Sequence, residues 1–158
     1  MSKITPCLWY SAKADEAAAF YASIIPNSKV DRVFALPVDS PSGPAGSVKV
    51  VEFTLAGQSF LAMTAGPFED FNHAISFSIV CEDQKEVDRL WDALSAGGKV
   101  EQCGWLRDRY GLCWQIVPKV FTEMMKDKDP AKVKRVAEAM MEMVKFDIAG
   151  LQKAYQGA

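Results

Sequence analysis

Histidine is the scarcest informative residue here: 158 residues hold one, His73. A metal centre built on several histidines of one chain is excluded, and any Ser–His–Asp or Cys–His pair would have to use His73. Cysteine is scarce too. Cys7, Cys81, Cys103 and Cys113 form no C-x-x-C pair, and each lies in an apolar, strand-like stretch. They read as reduced, mostly buried thiols, not as a zinc site. Neither sign of charge dominates: 18 basic and 20 acidic residues leave −2. That balance predicts no nucleic-acid partner and no anionic membrane surface. No apolar run approaches the roughly 18 residues of a transmembrane helix. The opening MSKITPCLWY lacks a signal peptide's apolar stretch and cleavage site, so a cytoplasmic location is expected. Also missing is a glycine-rich turn after a first strand with an acidic residue downstream, the usual mark of a nucleotide-type cofactor.

The chain does have ample material for a core. Hydrophobic residues make up 49%, close to the globular average. A chain of this size buries roughly 70% of its unfolded surface. Ile4–Tyr10 reads as a strand and Ala14–Ile25 as a helix, with Ala17, Phe20, Tyr21 and Ile24 at helical spacing and Pro26 ending it. Lys29–Leu36, Val48–Leu55 and Ser59–Thr64 read as strands. The loop Pro37–Gly46, with three prolines and two glycines, is expected to be mobile. Then the pattern repeats. Ala74–Val80 is strand-like, and Gln84–Ser95 is a helix with Val87, Leu90, Trp91 and Leu94 on one face. Lys99–Cys103, Trp105–Arg107 and Leu112–Val117 are short strands.

The two copies align without gaps at an offset of 70 residues: Ala14–Val30 lies over Gln84–Val100. Matching element types and apolar phase carry this repeat, because two like modules can bury a shared face. The predicted class is α+β. Residues 1–118 form a paired domain (module one 1–66, module two 72–118), and residues 119–158 form a helical extension. In that extension Lys119–Lys126 is a short helix. A longer one starts at Asp129–Pro130 and runs to about Tyr155, with Val133, Val136, Met140, Val144, Ile148 and Leu151 in its apolar stripe.

Four stretches carry a family resemblance: AAFY (18–21), VEFTLAGQSFLAM (51–63), EVDRLWDALSAGG (86–98) and CGWLRDRYGLCWQIVP (103–118). AMMEM and KFDIAGL in the tail fit as well. Together they resemble the vicinal oxygen chelate superfamily of glyoxalases, bleomycin-resistance proteins and extradiol dioxygenases. The closest likeness is to its PhnB-like branch, often labelled 3-demethylubiquinone-9 3-methyltransferase; the sequence offers nothing that supports that activity. The resemblance implies two βαβββ modules curled into a glyoxalase-like cup, and a homodimer. In metalloenzyme members four cup-facing positions hold metal ligands. Here those positions fall on Pro6, the Leu61–Met63 stretch, Ala74 and Gln115, of which only Gln115 could ligate. No metal or other cofactor is therefore expected.

Strand alternation puts Leu8, Tyr10, Leu61, Met63, Ser76, Ser78, Cys113 and Gln115 on the cup face, with Trp105 or Arg107 near the rim. Ile75, Phe77 and Ile79 should lie under the second helix. His73 is expected at the surface or hydrogen-bonded, Asp108 to bond its own turn, and Cys113 to act as a nucleophile only if a nearby charge lowered its pKa. The leading expectation is a protein that binds a small apolar or aromatic molecule in the cup without a metal. A divalent-metal isomerase, lyase or dioxygenase is the alternative, and a structural or regulatory dimer with a filled cup is another.

Overall fold

The computed structural model describes residues 2–158. The chain divides into two compact units, the first running to Asp70 and the second from Phe71 to Ala158.

The first unit follows the order β1 (Cys7–Tyr10), α1 (Ala14–Ile24), β2 (Lys29–Ala35), β3 (Lys49–Leu55), β4 (Gln58–Thr64). Its sheet has the order β1-β4-β3-β2. β1 and β4 are parallel, and the β2–β3 and β3–β4 pairs are antiparallel. A parallel partner needs a long crossover. Here the crossover holds α1, which packs across one face of the sheet. Ala14, Ala17, Ala18 and Tyr21 recur at helical spacing and are fully buried. The three alanines let the helix approach closely over Val51, Phe53 and Ala62, themselves at most 1% exposed. The Ala14 N–H donates to Thr64 Oγ1 at 2.9 Å, fixing the helix start to β4. The proline-rich loop carries its own hydrogen bonds: the Gly46 N–H donates to Leu36 O, and Ser40 and Gly43 exchange a pair.

The second unit repeats the plan: β5 (Phe77–Cys81), α2 (Gln84–Ser95), β6 (Lys99–Val100), β7 (Trp105–Arg107), β8 (Cys113–Pro118). Its sheet order is β5-β8-β7-β6, again with a parallel first-to-last pair. Asp83 caps α2 by accepting the Glu86 N–H, and Glu86 in turn accepts the Glu82 N–H. Val87, Leu90, Trp91 and Leu94 form the buried stripe of α2, as their spacing predicts. The module is thus α+β, repeated once, with C-terminal helices following.

Two strands are shorter than their sequence patterns suggest. β5 begins at Phe77, so Ile75 does not reach the helix and stays 55% exposed. β6 stops at Val100, because the backbone turns through positive φ at Cys103 and Gly104. Their N–H groups donate to the carbonyls of Met143 and Val144 instead of to a strand.

That exchange also breaks the tail. The single long helix expected from Asp129 to Tyr155 is two helices, α4 (Pro130–Met141) and α5 (Ile148–Gln156), preceded by α3 (Lys119–Met124). Between α4 and α5 the chain gives its carbonyls to the Cys103–Gly104 turn and drives Phe146 into the core at 2% exposure. Asp147 then caps α5 by accepting the Ala149 N–H. Gln84 at the start of α2 clasps the same point: its Nε2 donates to Phe146 O, and its Oε1 accepts the Ile148 N–H. Arg135 closes the pair of helices by donating to the Ala154 and Tyr155 carbonyls. Among the described residues no helix is long and apolar enough to cross a membrane.

Gly104 is the tightest point of this docking. Its φ is +80°, and a Cβ there would sit 2.4 Å from the Phe146 ring. Gly104→Ala is therefore expected to destabilise the protein by about 1–3 kcal/mol, through strain and overpacking together. Equilibrium urea unfolding measures this, and a loss below about 0.5 kcal/mol, the ordinary surface range, would contradict it.

Candidate functional site

In each sheet the helix covers one face, and alternation sends every second side chain to the other. The β1–β4 register pairs Cys7 with Leu61 and Trp9 with Met63, and the β3–β4 register adds Val50 and Glu52. These residues make the open face of the first sheet. Leu61 and Met63 lie where the sequence places them. Leu8 and Tyr10 do not. They are 5% and 3% exposed beneath α1, where the Tyr10 and Tyr21 hydroxyls meet at 3.1 Å. The parity was read correctly, but the wrong member of each pair was sent to the open face; the α1 tyrosine draws Tyr10 inward. Cys7 and Trp9 take their places.

Trp9 stacks on Phe68, with ring centroids 4.3 Å apart, and its indole N–H is buried without a hydrogen-bond partner among the described residues. A recess of about 430 Å³ beside it is lined by Pro41, Ser42, Ala65, Gly66, Pro67 and Phe68.

On the second sheet the registers β5–β8 and β7–β8 bring Ser78, Trp105 and Gln115 into one row, with Arg107 opposite Cys113. Gln115 Nε2 donates to Ser76 Oγ at 2.9 Å. Ser76, Ser78, Trp105, Cys113 and Gln115 thus share the open face, as alternation indicates. Cys113 is closed off from solvent at 0% exposure, and burial pushes its thiol pKa up, with Arg107 acting weakly the other way. Cys7 is likewise raised by burial, and Cys81 is pushed up to about 12. None of these three is an activated nucleophile.

Three residues that sequence reasoning did not join lie together on this face. Glu101 Oε1 and Oε2 lie 2.9 and 2.7 Å from His73 Nε2. Arg107 Nη2 lies 3.2 Å from His73 Nδ1. A guanidinium only donates, so Nδ1 accepts, and the ring hydrogen on Nε2 donates to Glu101. Lys99 is the cross-strand partner of Arg107 and shares its face. Alternation from Lys99 could have placed Glu101 there. His73 precedes its strand, where alternation says nothing.

The neighbouring Asp108 faces the other way. It is 3% exposed and accepts from the N–H groups of Tyr110 and Leu112 and from Trp114 Nε1. It is turn chemistry, as its position suggests, with an added grip on the core tryptophan.

These donors do not fit a resident divalent metal. Among the described residues no three of His, Cys, Asp and Glu come together as a ligand group. Both nitrogens of His73 are engaged, one of them by a cation.

The model of the 3-demethylubiquinone-9 3-methyltransferase family matches residues 2–117. The chain belongs to that family. Its fold is the PhnB-like, vicinal oxygen chelate one. The PhnB protein of Bacillus cereus, which carries the same methyltransferase description, is 29% identical with a TM-score of 0.64; the match covers 74% of this chain and 99% of that one. A protein from Pseudomonas aeruginosa is 23% identical with a TM-score of 0.57, over 75% of this chain and 98% of its own. FosX, a fosfomycin resistance protein from Listeria monocytogenes, shares the fold at 14% identity and a TM-score of 0.57, over 80% of this chain and 98% of its own. No curated protein matches.

Asp108→Ala should cost about 2–3 kcal/mol, since it strands buried donors that pointed at a charge. Chemical denaturation followed by tryptophan fluorescence reports it. A variant as stable as the parent would show that Trp114 is held by packing alone.

Proposed function

We propose that this member of the family binds a small, mainly apolar or aromatic molecule in its glyoxalase-like cup, without a resident metal, and acts as a homodimer. The observation that carries the reading is the open face of the first sheet, where Trp9, Leu61 and Met63 stand away from α1. A buried N–H without a partner costs roughly 1–3 kcal/mol. Among the described residues the Trp9 indole is such a group, so a ligand acceptor beside it would be favoured. The recess next to Trp9 is in the size range of small-molecule pockets. A filled, purely structural cup gives no use for either feature. The alternative, metal-dependent isomerase, lyase or dioxygenase chemistry, needs several ligands together, and among the described residues of one chain no three of His, Cys, Asp and Glu meet.

The reading is tested with 1-naphthamide, a neutral, flat aromatic probe, titrated into the protein with tryptophan fluorescence as readout. Saturable quenching is expected, weakened about three- to tenfold by Trp9→Ala. Absence of saturable binding contradicts the reading. Native mass spectrometry of the same sample should give twice the 17.4 kDa chain mass with no stoichiometric metal.

A further inference from the structure

Arg107 is a half-buried cation with no direct carboxylate partner among the described residues. Among the described residues the ion pairs join other groups, and none includes Arg107 or its cross-strand neighbour Lys99. Glu101 bonds His73 through both oxygens, and Asp108 is turned inward to Trp114. The imidazole presents only a neutral acceptor to the guanidinium. Like charges directly opposite on neighbouring strands repel, and partial burial raises the cost of leaving them uncompensated. The open face of the second sheet therefore carries two cations, Lys99 and Arg107, and one anion, Glu101, which reaches Arg107 only through the imidazole.

From this we infer that Arg107, assisted by Lys99, is an oxyanion-recognition site, and that the ligand is an aromatic or amphipathic carboxylic acid. The inference rests on the small-molecule reading above and sharpens its ligand class. A guanidinium has five N–H donors in a planar fork, of which His73 takes one. The fork matches a carboxylate in two parallel hydrogen bonds. Trp105 lies on the same face, two residues along the strand, and offers an aromatic surface for the body of the acid. Gln115 and Ser76, already bonded to each other, border it with neutral polar groups. His73 does not reach the ligand in this account. It is a positioning residue that fixes the guanidinium plane, itself fixed by Glu101.

The test compares 1-naphthoate with 1-naphthamide, which are alike in shape and differ in charge. Wild type should bind naphthoate about tenfold tighter, the ratio expected when a neutral acceptor becomes a charged one. Arg107→Met should bring the ratio to near one, weakening naphthoate far more than naphthamide, and Lys99→Met should lower the ratio less. His73→Ala should lose part of the preference. His73→Gln, whose amide can accept from Arg107 and donate to Glu101, should restore most of it. Loss of naphthamide binding in the His73 variants would mark a merely structural role and contradict the relay. Equal wild-type affinity for the two probes overturns the oxyanion site and leaves the small-molecule reading standing. Binding of neither probe overturns both. A preference that survives Arg107→Met assigns the anion elsewhere and also overturns the inference.

Discussion

In each unit the first strand pairs in parallel with the last, and a helix forms the crossover that makes this possible. The rest of the structure depends on that constraint. Once the helix lies on one face, every strand residue is assigned by parity either to the core or to the open side. Val51, Phe53 and Ala62 go under α1, and Leu106, Trp114 and Ile116 go inward in the second unit. Their neighbours, one residue along, make the surfaces available for chemistry. The same parity separates two adjacent residues of opposite charge: Asp108 is turned inward to hold the Trp114 indole, and Arg107 is turned outward to meet His73.

The two open faces differ in kind. The first is largely apolar, with Trp9, Leu61 and Met63, and holds an indole N–H that has no hydrogen-bond partner among the described residues. The second is polar and organised, with the Glu101–His73–Arg107 relay and the Gln115–Ser76 bond. The scarcity of histidine gives this a particular form. The one imidazole is engaged on both nitrogens, by Glu101 and by Arg107.

Much of this was legible in the sequence, because period two and period 3.6 are strong signals. The doubled module, both helices, the hairpin at Ala56–Gly57 and the open-face parity of Leu61, Met63 and Gln115 all follow from spacing. The failures have physical causes. Leu8 and Tyr10 share the right parity, but a strand has two faces, and only the Tyr10–Tyr21 contact decides which is inner. The tail kept helical periodicity across a break made by long-range hydrogen bonds to Cys103 and Gly104, which no local pattern records. Its one local trace is Asp147, a capping residue inside an apparent helix. The relay was missed because His73 lies outside its strand and Glu101 is 28 residues away.

The relay is the centre of the functional account, and the single histidine makes it directly observable. Long-range proton–nitrogen NMR of histidine-labelled protein reports which ring nitrogen of neutral His73 carries the hydrogen. The account predicts Nε2–H, with Nδ1 bare and facing Arg107, and loss of that single tautomer in Arg107→Met. A ring protonated at Nδ1, or one that exchanges freely between tautomers in the wild type, would contradict it.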